Sequence, residues 1–121
     1  MDAAAFGIGH IVIPVHDMKL AIQFYRDTLG LPLIGIENPV WNVVNAGGTE
    51  LTLFLQPDSP RIALGKDGDD SPFIFHVSDF QSAATFLEEH GVKLKRIDER
   101  QGVVSDPSGN VFGIHDHKKK D

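Results

Sequence analysis

Apolar and polar positions along this chain fall into one order and then repeat it. Ile8 to Val15 is a β-branched apolar run of strand length, and Asp17 follows as an N-cap. Met18, Ala21, Ile22, Tyr25 and Leu29 then recur at helical spacing, which predicts one apolar stripe. Gly30 suits the position just past a helix end, and Pro32 bars continuation. Leu33 to Glu37, Val40 to Ala46 and Glu50 to Gln56 predict three more strands, the last two joined by the turn Ala46-Gly47-Gly48-Thr49. The second pass starts with Phe73 to Val77 as a strand and Asp79 as a cap. Phe80, Ala83, Ala84 and Leu87 give its helical stripe, which ends at Gly91. Leu94 to Ile97, Gly102 to Ser105 and Val111 to His115 predict short strands, and Asp106-Pro107-Ser108-Gly109 suits a type I turn.

The repeat extends to residue identity. HIVIPVHD, from His10 to Asp17, lines up with PFIFHVSD, from Pro72 to Asp79, 62 positions on. Val15 falls on Val77, Ala21 on Ala83 and Phe24 on Phe86. This period is too long for a solenoid unit and too short for a separate domain. It predicts an α+β fold in which two βαβββ modules in tandem form a half-open barrel. Module one covers about 6–56, a Pro-, Gly-, Asp- and Ser-rich linker 57–71, and module two about 72–117, within a single domain, 1–121. In each module the helix covers one sheet face and leaves the other as the wall of a trough. A second chain is the expected means of completing that trough, so a homodimer is predicted.

Strand alternation sorts the candidate residues. Leu51, Leu53 and Leu55 face the helix, which turns Glu50, Thr52 and Phe54 toward the trough. A carboxylate on an apolar strand is costly unless it is paired or wet, which singles out Glu50. His10 lies across from it in the first strand, either as a core-lining imidazole or as a ligand or base. Together the two make a carboxylate-oriented imidazole able to move a proton. Trp41 either packs or stacks on a planar or cationic ligand. Phe54, Ile74 and Phe112 line the trough or the core. His16 and His90 flank the helices and are expected at the surface.

Composition narrows the function classes. The chain has 121 residues, 41% hydrophobic and 23% charged, enough for one ordinary globular core. It has no cysteine, so disulfides and thiolate ligands are excluded, and a cytoplasmic location is expected. No apolar stretch is long enough to cross a bilayer, and MDAAAFGIG lacks the pattern of a signal peptide. The net charge is −6, and the only basic run is Lys118-Lys119-Lys120, so no nucleic-acid partner is expected. The acidic balance favours neutral or cationic small molecules over phosphorylated ones. There is no GxSxG, P-loop or dinucleotide glycine motif.

Three stretches carry a family resemblance: HIVIPVHD followed by AIQFYRDTLGLPL, the strand GTELTLFLQ, and DPSGNVFGI near the end. Together they resemble the vicinal oxygen chelate superfamily, which holds glyoxalase I, extradiol dioxygenases, fosfomycin-resistance enzymes and bleomycin-resistance proteins. The resemblance implies paired βαβββ modules. It also implies a divalent ion (Zn, Ni, Mn or Fe) held by His and Glu side chains on the first and last strand of each module, acting as a Lewis acid. Carried over position by position, His10 and Glu50 stand at the two ligand positions of module one. In module two the motif sets Pro72 where a His would stand and Gly113 where a Glu would stand, and neither has a donor atom. His76 shares a face with position 72 but lies roughly 13 Å along the strand, whereas His115 lies roughly 7 Å from Gly113. His115 is thus a candidate third donor, and His117 shares its face. Two expectations follow. One is a binder of a drug or metabolite whose trough is lined by Trp41, Thr52, Phe54, Ile74, His76, Gly113 and His115, with a degenerate metal site. The other is a metal-dependent lyase, dioxygenase or transferase using His10, Glu50 and a third donor.

Overall fold

The computed structural model describes residues 9–56 and 73–116. The predicted linker 57–71, Pro72 and His117 lie outside the described residues. The predicted order β-α-β-β-β appears twice. Module one contains β1 (His10–Val15), α1 (Met18–Ile22), β2 (Leu33–Ile34), β3 (Trp41–Ala46) and β4 (Thr49–Leu55). Module two contains β5 (Ile74–Val77), α2 (Phe80–Glu89), β6 (Lys93–Asp98), β7 (Gln101–Ser105) and β8 (Val111–Asp116). Each module forms a four-stranded sheet of the same topology, β1-β4-β3-β2 and β5-β8-β7-β6. In each the first strand pairs parallel to the last and lies at the sheet edge. We call these sheet A and sheet B.

The first helix departs from its prediction. Only Met18–Ile22 is α-helical, and Gln23–Thr28 continues as a π-helix, in which Leu29 N–H bonds Phe24 C=O at 2.9 Å. Two consecutive aromatic residues, Phe24 and Tyr25, are both buried there. Uniform α spacing would bring only one of them squarely onto the core face, and the wider π turn brings in both. Gly30, at φ +78°, then takes the left-handed turn that glycine tolerates. The predicted strand Leu33 to Glu37 shrinks to two residues, because only Leu33 and Ile34 find partners on β3.

Capping also differs between the modules. Asp17 accepts a hydrogen bond from Leu20 N–H at 3.1 Å, as an N-cap does. Asp79 occupies the same place before α2, but its carboxylate accepts from Ser82 Oγ instead. The buried Asp116 on β8 accepts from Phe80 N–H at 3.0 Å and so caps α2 from a distance. The helix closes on Gly91 with a Schellman pair, Val92 N–H to Leu87 C=O and Gly91 N–H to Glu88 C=O.

One core joins the modules. Ile13, Val15, Leu51 and Leu53 from sheet A, Phe24 and Tyr25 from the helix, and Phe80, Val104 and Phe112 from module two are all buried in it. The Phe24 and Tyr25 rings each lie 6.3 Å from Phe112. Tyr25 also donates to Asp106 at 2.6 Å. Asn110 Nδ2 donates both to Asp106 and to Pro14 C=O, so the β7–β8 turn is tied to β1. Among the described residues no helix is long and apolar enough to cross a membrane.

Candidate functional site

The register of sheet A sets the geometry. Parallel pairing puts His10 opposite Glu50, Val12 opposite Thr52 and Pro14 opposite Phe54. Antiparallel pairing then puts Asn45 opposite Glu50, Val43 opposite Thr52 and Trp41 opposite Phe54. Paired residues share a face, so these side chains form three rows on the face away from α1. His10, Glu50 and Asn45 make a polar row at one end. Val12, Thr52 and Val43 make the middle row, extended by Ile34. Pro14, Phe54 and Trp41 make the apolar end. His10 and Glu50 are exposed, as are Val12, Ile34, Trp41 and Phe54, whereas Leu51 and Leu53 on the other face are buried. The predicted split of β4 between helix face and open face is therefore observed for residues 50 to 54.

The imidazole of His10 is held by Thr52. His10 Nδ1 and Thr52 Oγ1 share a 2.6 Å hydrogen bond, and Thr52 itself is buried. The sequence predicts Glu50 as the orienting group of His10. Strand pairing does bring Glu50 alongside, but Thr52, one row further along, makes the contact. When Nδ1–H donates to Thr52 Oγ1, Nε2 keeps its lone pair for a ligand or ion. Nothing in the one-dimensional pattern marked Thr52 as more than a lining residue. A hydroxyl two positions from Glu50 on the same face was the available signal.

Sheet B carries a different set. On its open face Ile74 pairs with Gly113, which pairs in turn with Val103, and His76 pairs with His115, which pairs with Gln101. Ile74 is exposed, and a Cβ at Gly113 would meet Ile74 Cγ1 at 3.0 Å. Neither Gly113 nor Val111, two residues before it on the same face, has a donor atom. His16 and His90 lie at the surface, as expected.

A cavity of about 530 Å³ opens between the modules, lined by Ile11, Leu31, Leu51, Phe73, Ile74 and His76 among others. Ile11 and Leu51 belong to the core face of sheet A, so this cavity lies on the side away from His10 and Glu50. Among the described residues no three His, Asp or Glu side chains gather closely enough to hold a metal ion. His10 and Glu50 thus fit half of such a site, one nitrogen and one oxygen donor in register. Among the described residues the other half is not assembled around them.

Residues 7–114 match the family model of the Glyoxalase/Bleomycin resistance protein/Dioxygenase superfamily. The chain is 30% identical over 117 residues to a metallothiol transferase FosB of Shouchella clausii (strain KSM-K16), covering 90% of this chain and 79% of that protein. Its fold superposes on TnmS3, an antibiotic binding protein from Streptomyces sp. CB03234, with a TM-score of 0.73 and 26% identity, covering 95% of this chain and 98% of that one. It also superposes on a lactoylglutathione lyase from Agrobacterium tumefaciens with a TM-score of 0.68, 18% identity, and coverage of 95% and 96%. At that identity the likeness concerns the fold.

Proposed function

This chain belongs to the glyoxalase, bleomycin resistance protein and dioxygenase superfamily, and from that premise we propose that it acts on a small organic molecule at the open face of sheet A as a divalent-metal-dependent transferase, lyase or dioxygenase. The observation that carries this reading is the in-register pair of His10 and Glu50, with His10 already oriented by Thr52. An exposed imidazole and carboxylate side by side offer two donors to Zn, Ni, Mn or Fe. When bound, such an ion supplies Lewis-acid polarisation to vicinal oxygens of the substrate. The exposed apolar side chains of Val12, Ile34, Trp41 and Phe54 give the organic part of the substrate a surface to lie on. A second copy of the chain covers that face and brings the third protein donor, because no three donors gather among the described residues. The likeness to a metallothiol transferase supports this reading.

A second reading is metal-free binding of a drug or metabolite on the same face. Two observations favour it: Gly113 stands where the family motif expects a donor, and Ile74 fills the space over it. The likeness to an antibiotic binding protein supports it.

Calorimetric titration of ion-stripped protein with Zn²⁺, Ni²⁺, Mn²⁺ and Fe²⁺ separates the two. The metal-dependent reading expects tight binding of one of these ions that is lost in both His10→Gln and Glu50→Gln. No binding that depends on these residues, together with thermal stabilisation by planar organic compounds that survives both substitutions, would establish the metal-free reading instead.

A further inference from the structure

We propose that His76 and His115 form a second divalent-ion site, separate from His10 and Glu50, that takes a borderline ion such as Ni²⁺, Cu²⁺ or Zn²⁺ between the two imidazoles. The pair is built by register. Parallel pairing of β5 with β8 sets His76 directly opposite His115, so both side chains leave the same face of sheet B. Their ring centroids lie 6.3 Å apart with planes inclined at 58°. Two imidazoles sharing one ion, each through a nitrogen roughly 2 Å from it, have ring centres roughly 5 to 6 Å apart. The observed spacing lies just beyond the upper end of that range.

The surroundings suit a cation. His76 is exposed and His115 half-buried, so the site opens to solvent and keeps free positions for water or another ligand. The next residue across the sheet is Gln101, and beyond it stands Asp98. Gln101 Nε2 donates to Asp98 Oδ2 at 3.0 Å, which fixes the carboxylate on the flank of the pair. Imidazole pairs prefer ions in the order set by nitrogen affinity, with Cu²⁺ above Ni²⁺ and Zn²⁺. Hard ions such as Mg²⁺ and Ca²⁺ gain little from nitrogen donors.

Cu²⁺ and Ni²⁺ titrations of the full chain by calorimetry test this, with paramagnetic resonance of the Cu²⁺ adduct as a second measurement. Wild type is expected to show a class of sites whose copper spectrum carries two nitrogen couplings. His76→Gln and His115→Gln are each expected to weaken that class at least tenfold, while the His10→Gln/Glu50→Gln double variant leaves it intact. His115→Asn, closer to the wild-type shape, guards against a folding defect, and circular dichroism checks each variant. The proposal is overturned if wild type shows no such class. It is also overturned if His10→Gln removes the class, or if His117→Gln removes it while His115→Gln does not. Loss of metal binding in the His10 and Glu50 variants alone would leave the first site standing and sink the second. The reverse pattern would sink the first and uphold the second.

Discussion

Tyr25 donates its phenolic hydrogen to Oδ2 of Asp106 at 2.6 Å, across 81 positions of sequence and from one module to the other. Both groups are buried. The same carboxylate accepts from the backbone N–H groups of Ser108 and Asn110 and from Asn110 Nδ2. Two of the stretches that carry the family resemblance, FYRDTLGL and DPSGN, therefore meet in one hydrogen-bond network. This network ties the two modules together.

Tyr25→Phe removes one charged-group hydrogen bond and leaves the other three in place. The expected cost is roughly 1 to 3 kcal/mol. It appears as a lower urea midpoint with an unchanged slope. The substitution also changes the response to alkali. Burial first, then the Asp106 charge and its hydrogen bond, hold the Tyr25 hydroxyl well above its ordinary value of 10.0. A raised folded value means that the neutral hydroxyl favours folding fully at pH below about 10, and that this contribution is lost as pH rises toward the folded value. Wild type is expected to lose stability above about pH 10 more steeply than Tyr25→Phe. Parallel stability curves for the two proteins between pH 9 and 11, measured by urea denaturation, would refute this role.

Asp116 and Asp79 exchange the roles that position in the sequence suggests. Asp79 stands at the N-cap of α2, yet the carboxylate that accepts Phe80 N–H belongs to Asp116 on β8. Asp116→Ala is expected to cost about 1 to 2 kcal/mol, the usual loss for a cap with a buried acceptor, and Asp79→Ala less. Hydrogen exchange should show faster opening of the first turn of α2 in Asp116→Ala only. Equal effects of the two substitutions would contradict the remote cap.

How much of this was legible follows from the range of each signal. Local periodicity revealed the helices and strands found among the described residues, because alternation and helical spacing are read from adjacent residues. It placed Glu50, Thr52 and Phe54 on one face for the same reason. The π-helix escaped, because two inward aromatic residues in a row are ambiguous until Phe112 and Asp106 are in place. The cap by Asp116 and the hold of Thr52 on His10 also escaped. Each joins residues 36 or 42 apart, and only strand register brings such pairs together.

Two glycines on sheet B separate packing from function. A Cβ at Gly102 would meet Lys95 C=O at 2.7 Å and the Phe80 ring at 3.0 Å, and Gly102 is buried. A backbone oxygen cannot swing aside, so Gly102→Ala is expected to destabilise by about 1 to 3 kcal/mol. At Gly113 the obstacle is the side chain of the exposed Ile74, which can rotate away. Gly113→Ala should therefore cost less, and Ile74→Ala should relieve it further. Thermal melts of the three variants check the order. A larger loss for Gly113→Ala than for Gly102→Ala would show that Ile74 is held rigidly.

Thr52→Val is the most direct probe of the proposed site. Valine matches threonine in shape and removes only the hydroxyl that holds His10 Nδ1 at 2.6 Å. Thr52 is buried and its partner is exposed, so a freed imidazole can turn to water at small cost to the fold. Stability is expected to change by less than about 1 kcal/mol. Orientation is another matter. Without the hydroxyl His10 samples other rotamers and either tautomer, and Nε2 is no longer held in one direction. Loss of such an outer partner typically weakens metal affinity 10- to 100-fold, so a loss of that order is expected for the ion held by His10 and Glu50. Thr52→Ser keeps a hydroxyl and should recover most of the affinity. Equal ion affinity for wild type and Thr52→Val, with both fully folded, would mean that His10 is not used in this orientation.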